Sequence, residues 1–334
     1  MRSSPNGAAA REPTIPVQTG NISRSALLKQ RQKPSVVGLA CFAVVLAAVF
    51  GPSLLTLIKY AASSQLYSYI LLIPFVSAYL LYIRRDQLPK KYSVDLPLTI
   101  VSLAVGIGLF ALAHSLEFGG QAPNVNTRIV LLTLSFLCCL AAGGFFFLGR
   151  AWMRAAAFPL AYLIFMVPMP DAMADALETA SKYASAEVAN LLFHLSGTPF
   201  LREGLIFQLP NITIEVAQEC SGIRSSFVLF ITSILAANLF LRGWWRRFAL
   251  VAFVIPLAIL RNGFRILVIG LLCVHFGPQM IHSVIHRRGG PLFFVLSLIP
   301  LLLILWLLRK GDEQRRCAKQ RKHELSVPSK SVLR

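Results

Sequence analysis

Between residues 36 and 308 the sequence returns repeatedly to apolar runs of near-bilayer length. They fall near 36–58, 67–83, 96–115, 129–149, 151–168, 222–241, 248–276 and 291–308. A hydrocarbon core about 30 Å thick takes ~20 helical residues to cross, and a backbone immersed in it must satisfy its own hydrogen bonds. Most of the runs approach that length; 67–83 and 151–168 are shorter, and each contains proline (Pro74, Pro159). The expected fold is an all-α polytopic membrane protein with about eight transmembrane helices. A chain that is 56% hydrophobic and 14% charged is too apolar for a soluble protein of this length. Polar residues precede the first run and no small-residue cleavage site follows it, so it is expected to be an uncleaved anchor.

The net charge of +19 suggests either nucleic acid or a membrane surface as partner, and its distribution separates the two. With an even number of spans and both termini cytoplasmic, most of the 33 Lys and Arg fall on the inner segments: the N-tail, 84–95, 150–154, 242–247 and the C-tail. That asymmetry is the positive-inside pattern. The charge then reports topology and contact with anionic membrane lipids, and no nucleic acid is expected. The domain reading is a basic cytoplasmic tail over 1–35, a membrane-embedded domain over 36–308 and a second basic cytoplasmic tail over 309–334. Both tails are expected to be disordered and lipid-facing.

The longest outer stretch is 169–221. Its first part, DAMADALETASKYASAEVANLLFHL, reads as an extracytoplasmic amphipathic helix with Met173, Leu177, Ala184, Val188, Leu191 and Leu195 on one side. It would lie along the membrane surface or pack on the bundle. Next, GLIFQLPNITIEVAQ alternates: Leu205, Phe207 and Leu209, then Ile212, Ile214 and Val216. Pro210-Asn211 marks a turn between them, which predicts a short β-hairpin. That hairpin delivers the chain to Cys220 at the head of the sixth apolar run.

Of the six cysteines, Cys41, Cys138, Cys139 and Cys273 lie within apolar runs, where cysteine serves as a small hydrophobe, and Cys317 lies in the basic tail. Cys220 alone sits at an apolar–polar boundary, in ECSGIRSS. A helix N-terminus offers unpaired N–H groups and the positive end of the dipole, both of which favour a thiolate. Gly222 permits a close turn beside it, and Arg224 would add charge or bind Glu219. Taken alone, the stretch fits a buried structural cysteine better, because most cysteines are inert.

Other groups are expected at the same depth. Arg261, Asn262 and Arg265 fall near the outer end of the seventh run. Ionisable groups at membrane depth face a bundle interior or a wet cavity, unless they snorkel to headgroups. The following loop carries His282 and His286 four residues apart. H-S-V-I-H lacks the glutamate of the zinc-protease H-E-x-x-H motif, so a proton-shuttling histidine is favoured over a metal ligand. No cofactor is expected.

These motifs, in this order, resemble the exosortase/archaeosortase family of membrane-embedded cysteine transpeptidases. The resemblance rests on VAQECSGIRSS, on Asn262-Gly263-Phe264-Arg265-Ile266 and on His286 with Gly290 four residues on. YSYILLIPFVSAYLLYIRR also looks like the family's early span, and the likeness covers roughly 60–305. It implies Cys220 as nucleophile, Arg265 as the essential arginine and His286 as the third catalytic residue. Arg224, Asn262, Arg261 and His282 support them, and His282 competes with His286 for its role. Two positions depart from the family pattern: Glu219, where a small residue is common, and Pro291, where a bulky aromatic is common. The implied partners are exported proteins with a C-terminal motif, a hydrophobic span and a basic cluster. The implied activity is cleavage of that sorting signal through a thioester and transfer to a cell-surface acceptor, at a bacterial inner membrane with the site on the extracytoplasmic face. Two alternatives stand beside it: a hydrolysing intramembrane-type protease with the same site, and a non-enzymatic transporter or assembly factor.

Overall fold

The computed structural model describes residues 36–64, 66–89, 93–118, 124–210, 212–216, 222–277, 279, 292–311 and 314. Both terminal tails lie almost wholly outside these residues. The first apolar run is two helices, α1 (Val36–Val49) and α2 (Gly51–Ser63), bent by 71°. The break is chemical: Pro52 sits in the first turn of α2, where its missing N–H costs nothing, whereas in an unbroken helix it could not donate to the carbonyl four residues back. A 3-10 turn (Ser68–Leu72) and α3 (Ile73–Ile83) form the second run. Together they extend ~24 Å, short of a full hydrocarbon core.

α4 (Leu96–Phe118) and α5 (Val125–Phe147) pack closely along their lengths. Their contact is made by small residues. Ser135 Oγ donates to the Gly106 carbonyl (2.7 Å), and a Cβ on Gly106 would meet Cys139 Sγ at 2.7 Å. In lipid, where apolar burial itself drives little, such close backbone approach holds helices together. The run around 151–168 breaks into α6 (Arg150–Ala155), α7 (Ala157–Tyr162) and a 3-10 turn (Leu163–Met166), and turns by 88° into α8 (Asp171–Ser196).

The α8 helix forms as its sequence predicts, and it packs on the bundle through the face opposite its aliphatic stripe. Ser185, Ala186, Ala189 and Phe193 are buried, whereas Met173, Leu177, Leu191 and Leu195 are exposed. The small residues allow close packing, and the larger aliphatic ones are left outside. The hairpin follows as β2 (Ile206–Leu209) and β3 (Ile212–Glu215), antiparallel with Leu209 opposite Ile212. Phe207, Leu209, Ile214 and Val216 point inward as the alternation predicts. A third strand, β1 (Leu201–Glu203), pairs antiparallel with β2; Leu-Arg-Glu carries no alternating apolar signal.

α9 (Ile223–Phe240) and α10 (Trp244–Phe276) run antiparallel, and Leu292–Gly311 forms α11. One core joins α8 (Ala186, Ala189, Phe193), the hairpin and the second half of α10 (Ile266, Leu267, Ile269, Cys273). Cys139 and Cys273 are buried among apolar neighbours, as expected of small hydrophobes. Among the described residues, five helices are long and apolar enough to cross a membrane, or up to seven if each bent pair counts as one span. The protein is a multi-pass membrane protein.

Side-chain contacts sort the connections into two ends of the bundle. At one end, Arg84 bonds Asn238 near the close of α9, and Arg246 reaches the Gly311 carbonyl at the close of α11. At the other, the Tyr67 hydroxyl and the Asn126 amide both donate to the Met169 carbonyl, and Arg224 reaches Ser68. The first end carries Arg84, Arg85, Arg150, Arg242, Arg246, Arg247, Arg309 and Lys310, the basic side of the charge asymmetry. The α8 helix and the sheet stand at the second.

Candidate active site

The site builds around Gly222, the N-cap of α9, which adopts a left-handed conformation (φ 64°). Glycine populates that region without steric cost. Here space is limiting as well as φ: a Cβ on Gly222 would meet Asn262 Oδ1 at 2.7 Å and Arg261 Nη2 at 3.1 Å. The Gly222 carbonyl accepts the Ser226 N–H (2.9 Å), the Ser226 hydroxyl (2.8 Å), the Ser225 hydroxyl (3.1 Å) and Arg261 Nη2 (3.1 Å). Arg261 Nη2 also donates to Ser226 Oγ (2.9 Å). With 7% of its surface exposed, Arg261 faces the bundle interior and does not snorkel. Its other terminal nitrogen, Nη1, is buried and makes no hydrogen bond among the described residues.

Asn262 is more deeply enclosed, at 1% exposure. Its Nδ2 donates to Ser185 Oγ on α8 (3.0 Å), so this one amide ties α10 to α8 and leans on the α9 cap. Gly263 makes the approach possible, since a Cβ there would lie 2.5 Å from Val188 Cγ1 and 3.1 Å from the Ala189 backbone nitrogen. One helical turn beyond Arg261, on the same face of α10, Arg265 is half-buried. Along α10, at 1.5 Å per residue, Arg261 stands ~25 Å and Arg265 ~31 Å from Trp244. Trp244 and Trp245 stack with ring centroids 3.9 Å apart beside Arg246 and Arg247, an aromatic and basic belt of the kind found at a membrane interface. The arginines therefore sit toward the far margin of the hydrocarbon rather than at its centre. Arg224 is exposed and points to Ser68 Oγ (3.4 Å).

Of the residues singled out from sequence, Arg224, Asn262, Arg261 and Arg265 are described, and Gly222, Arg261 and Asn262 are in mutual contact. Cys220, Glu219, His282 and His286 lie outside the described residues. The chain is anchored on both sides of Cys220. Val216 is buried, with its N–H on the Leu205 carbonyl (3.0 Å), and Gly222 is held as above. In the chain, the segment with both histidines follows α10 and precedes α11. Sequence reasoning passed over Ser185 and Ser226 as partners. Their signal is weak, since a single serine on an alanine-rich helix face reads as a neutral small residue.

A multi-pass bundle with two arginines and an asparagine on one helix, gathered at the glycine cap of its antiparallel neighbour, defines a membrane-embedded polar site near one bundle end. The transmembrane exosortase family (Exosortase_EpsH) matches residues 61–303, which takes in every element of that site and most of the chain. The chain belongs to this family. No curated protein and no solved structure matches it.

Proposed function

We propose that this exosortase-family protein is a cysteine peptidase/transpeptidase that removes the C-terminal sorting signal of exported proteins through a thioester on Cys220. The observation that carries the reading is the locked cap: Gly222, two residues after Cys220, is pinned in a left-handed turn against Arg261 and Asn262. Two Cα–Cα steps of 3.8 Å keep Cys220 within about 7.6 Å of that pinned residue, and Gly222 caps the positive end of α9. That environment favours the thiolate.

In the reaction, the Cys220 thiolate adds to the scissile carbonyl and a sulfur–carbon bond forms. His286, or His282 in its place, gives a proton to the departing amine as the carbon–nitrogen bond breaks. The neutral imidazole then takes a proton from the acceptor, which attacks the thioester and returns the thiolate. Arg265 stabilises the developing oxyanion, a contribution whose loss costs ~10²–10³ in rate for comparable donors. The substrates are exported proteins bearing a short motif, a hydrophobic span and a basic cluster. The basic end of the bundle faces the cytoplasm of a bacterial inner membrane, so the substrate's basic cluster stays inside and its motif meets Cys220 outside.

The test is processing of a co-expressed tail-bearing substrate by Cys220→Ala and Cys220→Ser variants. Both are expected to leave the tail attached, and undiminished processing by Cys220→Ala would refute the nucleophile. The mass of the product's new C-terminus identifies the acceptor. An added group marks transfer, and a free carboxylate marks hydrolysis by the same site.

A further inference from the structure

A strand with a neighbour on one side only leaves a row of backbone groups for something else to pair with. In the order β1-β2-β3, the two edges are β1 and β3. The Val216 N–H donates to the Leu205 carbonyl (3.0 Å), and alternate residues of an antiparallel strand turn N–H and C=O to the same side. Ile212, Ile214 and Val216 therefore bond inward to β2, while Thr213 and Glu215 turn both groups outward. Both residues are exposed, and among the described residues no backbone hydrogen bond crosses that edge. The opposite edge offers less: β1 has three residues, of which Arg202 alone turns its backbone outward. β3 carries no lysine, proline or bulge, the devices that blunt an edge. It is also a rigid template, since Phe207, Ile214 and Val216 are buried in the core shared with α8 and α10. Sheet and cap lean on the same helix. A Cβ on Gly270 would meet Leu209 Cδ1 at 3.2 Å, and Arg261 bonds Gly222; the two points lie ~13 Å apart along the axis of α10.

We propose that the outer edge of β3 is the docking strand for substrate: an extended segment of the exported protein adds to it as a fourth strand, through the backbone of Thr213 and Glu215. The proposal rests on the peptidase reading, whose substrate is a polypeptide, and it deepens that reading by saying how the polypeptide is held. Pairing of this kind draws its affinity from main-chain hydrogen bonds. A segment of four or five extended residues (~13–17 Å) covers the edge and is as long as the interval between sheet and cap.

The experiment puts the photo-cross-linker p-benzoylphenylalanine in place of Thr213, or of Glu203 on β1 as control, in the full Cys220→Ala chain. Each chain is co-expressed with a tail-bearing exported protein and irradiated in membranes. A substrate adduct is expected from position 213 and not from 203. Glu215→Pro, added to the 213 chain, removes an outward N–H that the ladder to β2 does not use. It should cut the adduct ~10-fold through the lost hydrogen bond and the blocked edge. Glu215→Ala keeps the main chain and should leave the adduct unchanged. Absence of a substrate adduct from 213 overturns the proposal, as does an adduct that joins two copies of this chain. So does an adduct that folded Glu215→Pro leaves intact, or one that Glu215→Ala weakens as much as proline does. If Glu215→Pro does not purify folded, the comparison of 213 with 203 decides alone. If Cys220→Ala still removes the tail, the nucleophile assignment fails, while the adduct still reports whether the edge is occupied.

Discussion

α4 and α10 are both apolar enough to span a bilayer, yet they live in different surroundings. Over their most apolar stretches, 11% of α4 and 56% of α10 is buried inside the protein. Hydropathy does not separate them. What separates them is the polar and small residues: α10 carries Arg261, Asn262, Gly263, Arg265 and Gly270, and these line its buried face or its margin. In water the apolar side turns inward; in lipid the tails are as apolar as leucine, so interior positions go to residues that pack closely or bond one another. The same inversion explains α8, whose large aliphatic side chains are exposed while Ser185, Ala186 and Ala189 are buried.

The sharpest way to break this contrast is to enlarge one glycine on each helix. Gly263→Leu on α10 drives its side chain into Val188 and the backbone of α8, a clash between two packed helices that cannot be relieved by one rotamer. It should cost ~3 kcal/mol or more, seen as a large loss of thermal stability in detergent together with loss of processing. Gly108→Leu on α4 meets nothing within 4 Å and should leave both unchanged or slightly improved, since leucine is the better helix former. Equal damage from the two would show that hydropathy, not close packing, decides what is interior.

That contrast also marks how far the sequence could be followed. The apolar runs and the hairpin were legible because each is a local pattern: run length for a span, alternation about Pro210-Asn211 for the strands. The 71° bend at Gly51-Pro52 was written in the proline but hidden by a continuous apolar run. Which of its two expected placements α8 takes was not legible, because an aliphatic stripe suits a lipid surface and a protein core alike. At the site, Arg261, Asn262, Arg265 and Gly222 stood out from sequence, since charge, amide and glycine are conspicuous beside membrane spans. Their partners did not: Ser185 meets Asn262 across 77 positions of chain, a contact that only the α8–α10 packing creates.

Gly222 sharpens the comparison from the opposite side, because its constraint is conformational as well as steric. Alanine there must hold φ near 64°, which costs ~1–2 kcal/mol for a residue with a Cβ, and must also displace the Asn262 side chain. Gly222→Ala should lower thermal stability by less than Gly263→Leu. It should nevertheless reduce processing strongly, because the strain falls on the cap that leads to Cys220. A variant with full processing would separate the cap from the catalytic turn.

The smallest effect is expected at the exposed rim of the same region. Arg202 on β1 donates to Glu187 on α8 at 2.7 Å, where the glutamate is largely exposed. The hydrogen bond from Arg202, with its charge, holds the Glu187 carboxyl below the usual glutamate range. A carboxyl whose pKa is lower folded than unfolded stabilises the fold above its ordinary pKa and loses that contribution as pH falls through the lowered value. Glu187→Gln should therefore change thermal stability little near neutral pH, as solvent-screened pairs do. The gap between variant and unsubstituted protein should close altogether below the glutamate range. Limited proteolysis of the β1–β2 connection, across that pH interval, reads the same clamp directly. A gap that persists in acid would mean that residue 187 acts through packing rather than charge, and that this rim belongs with the buried face of α10 rather than with its exposed surroundings.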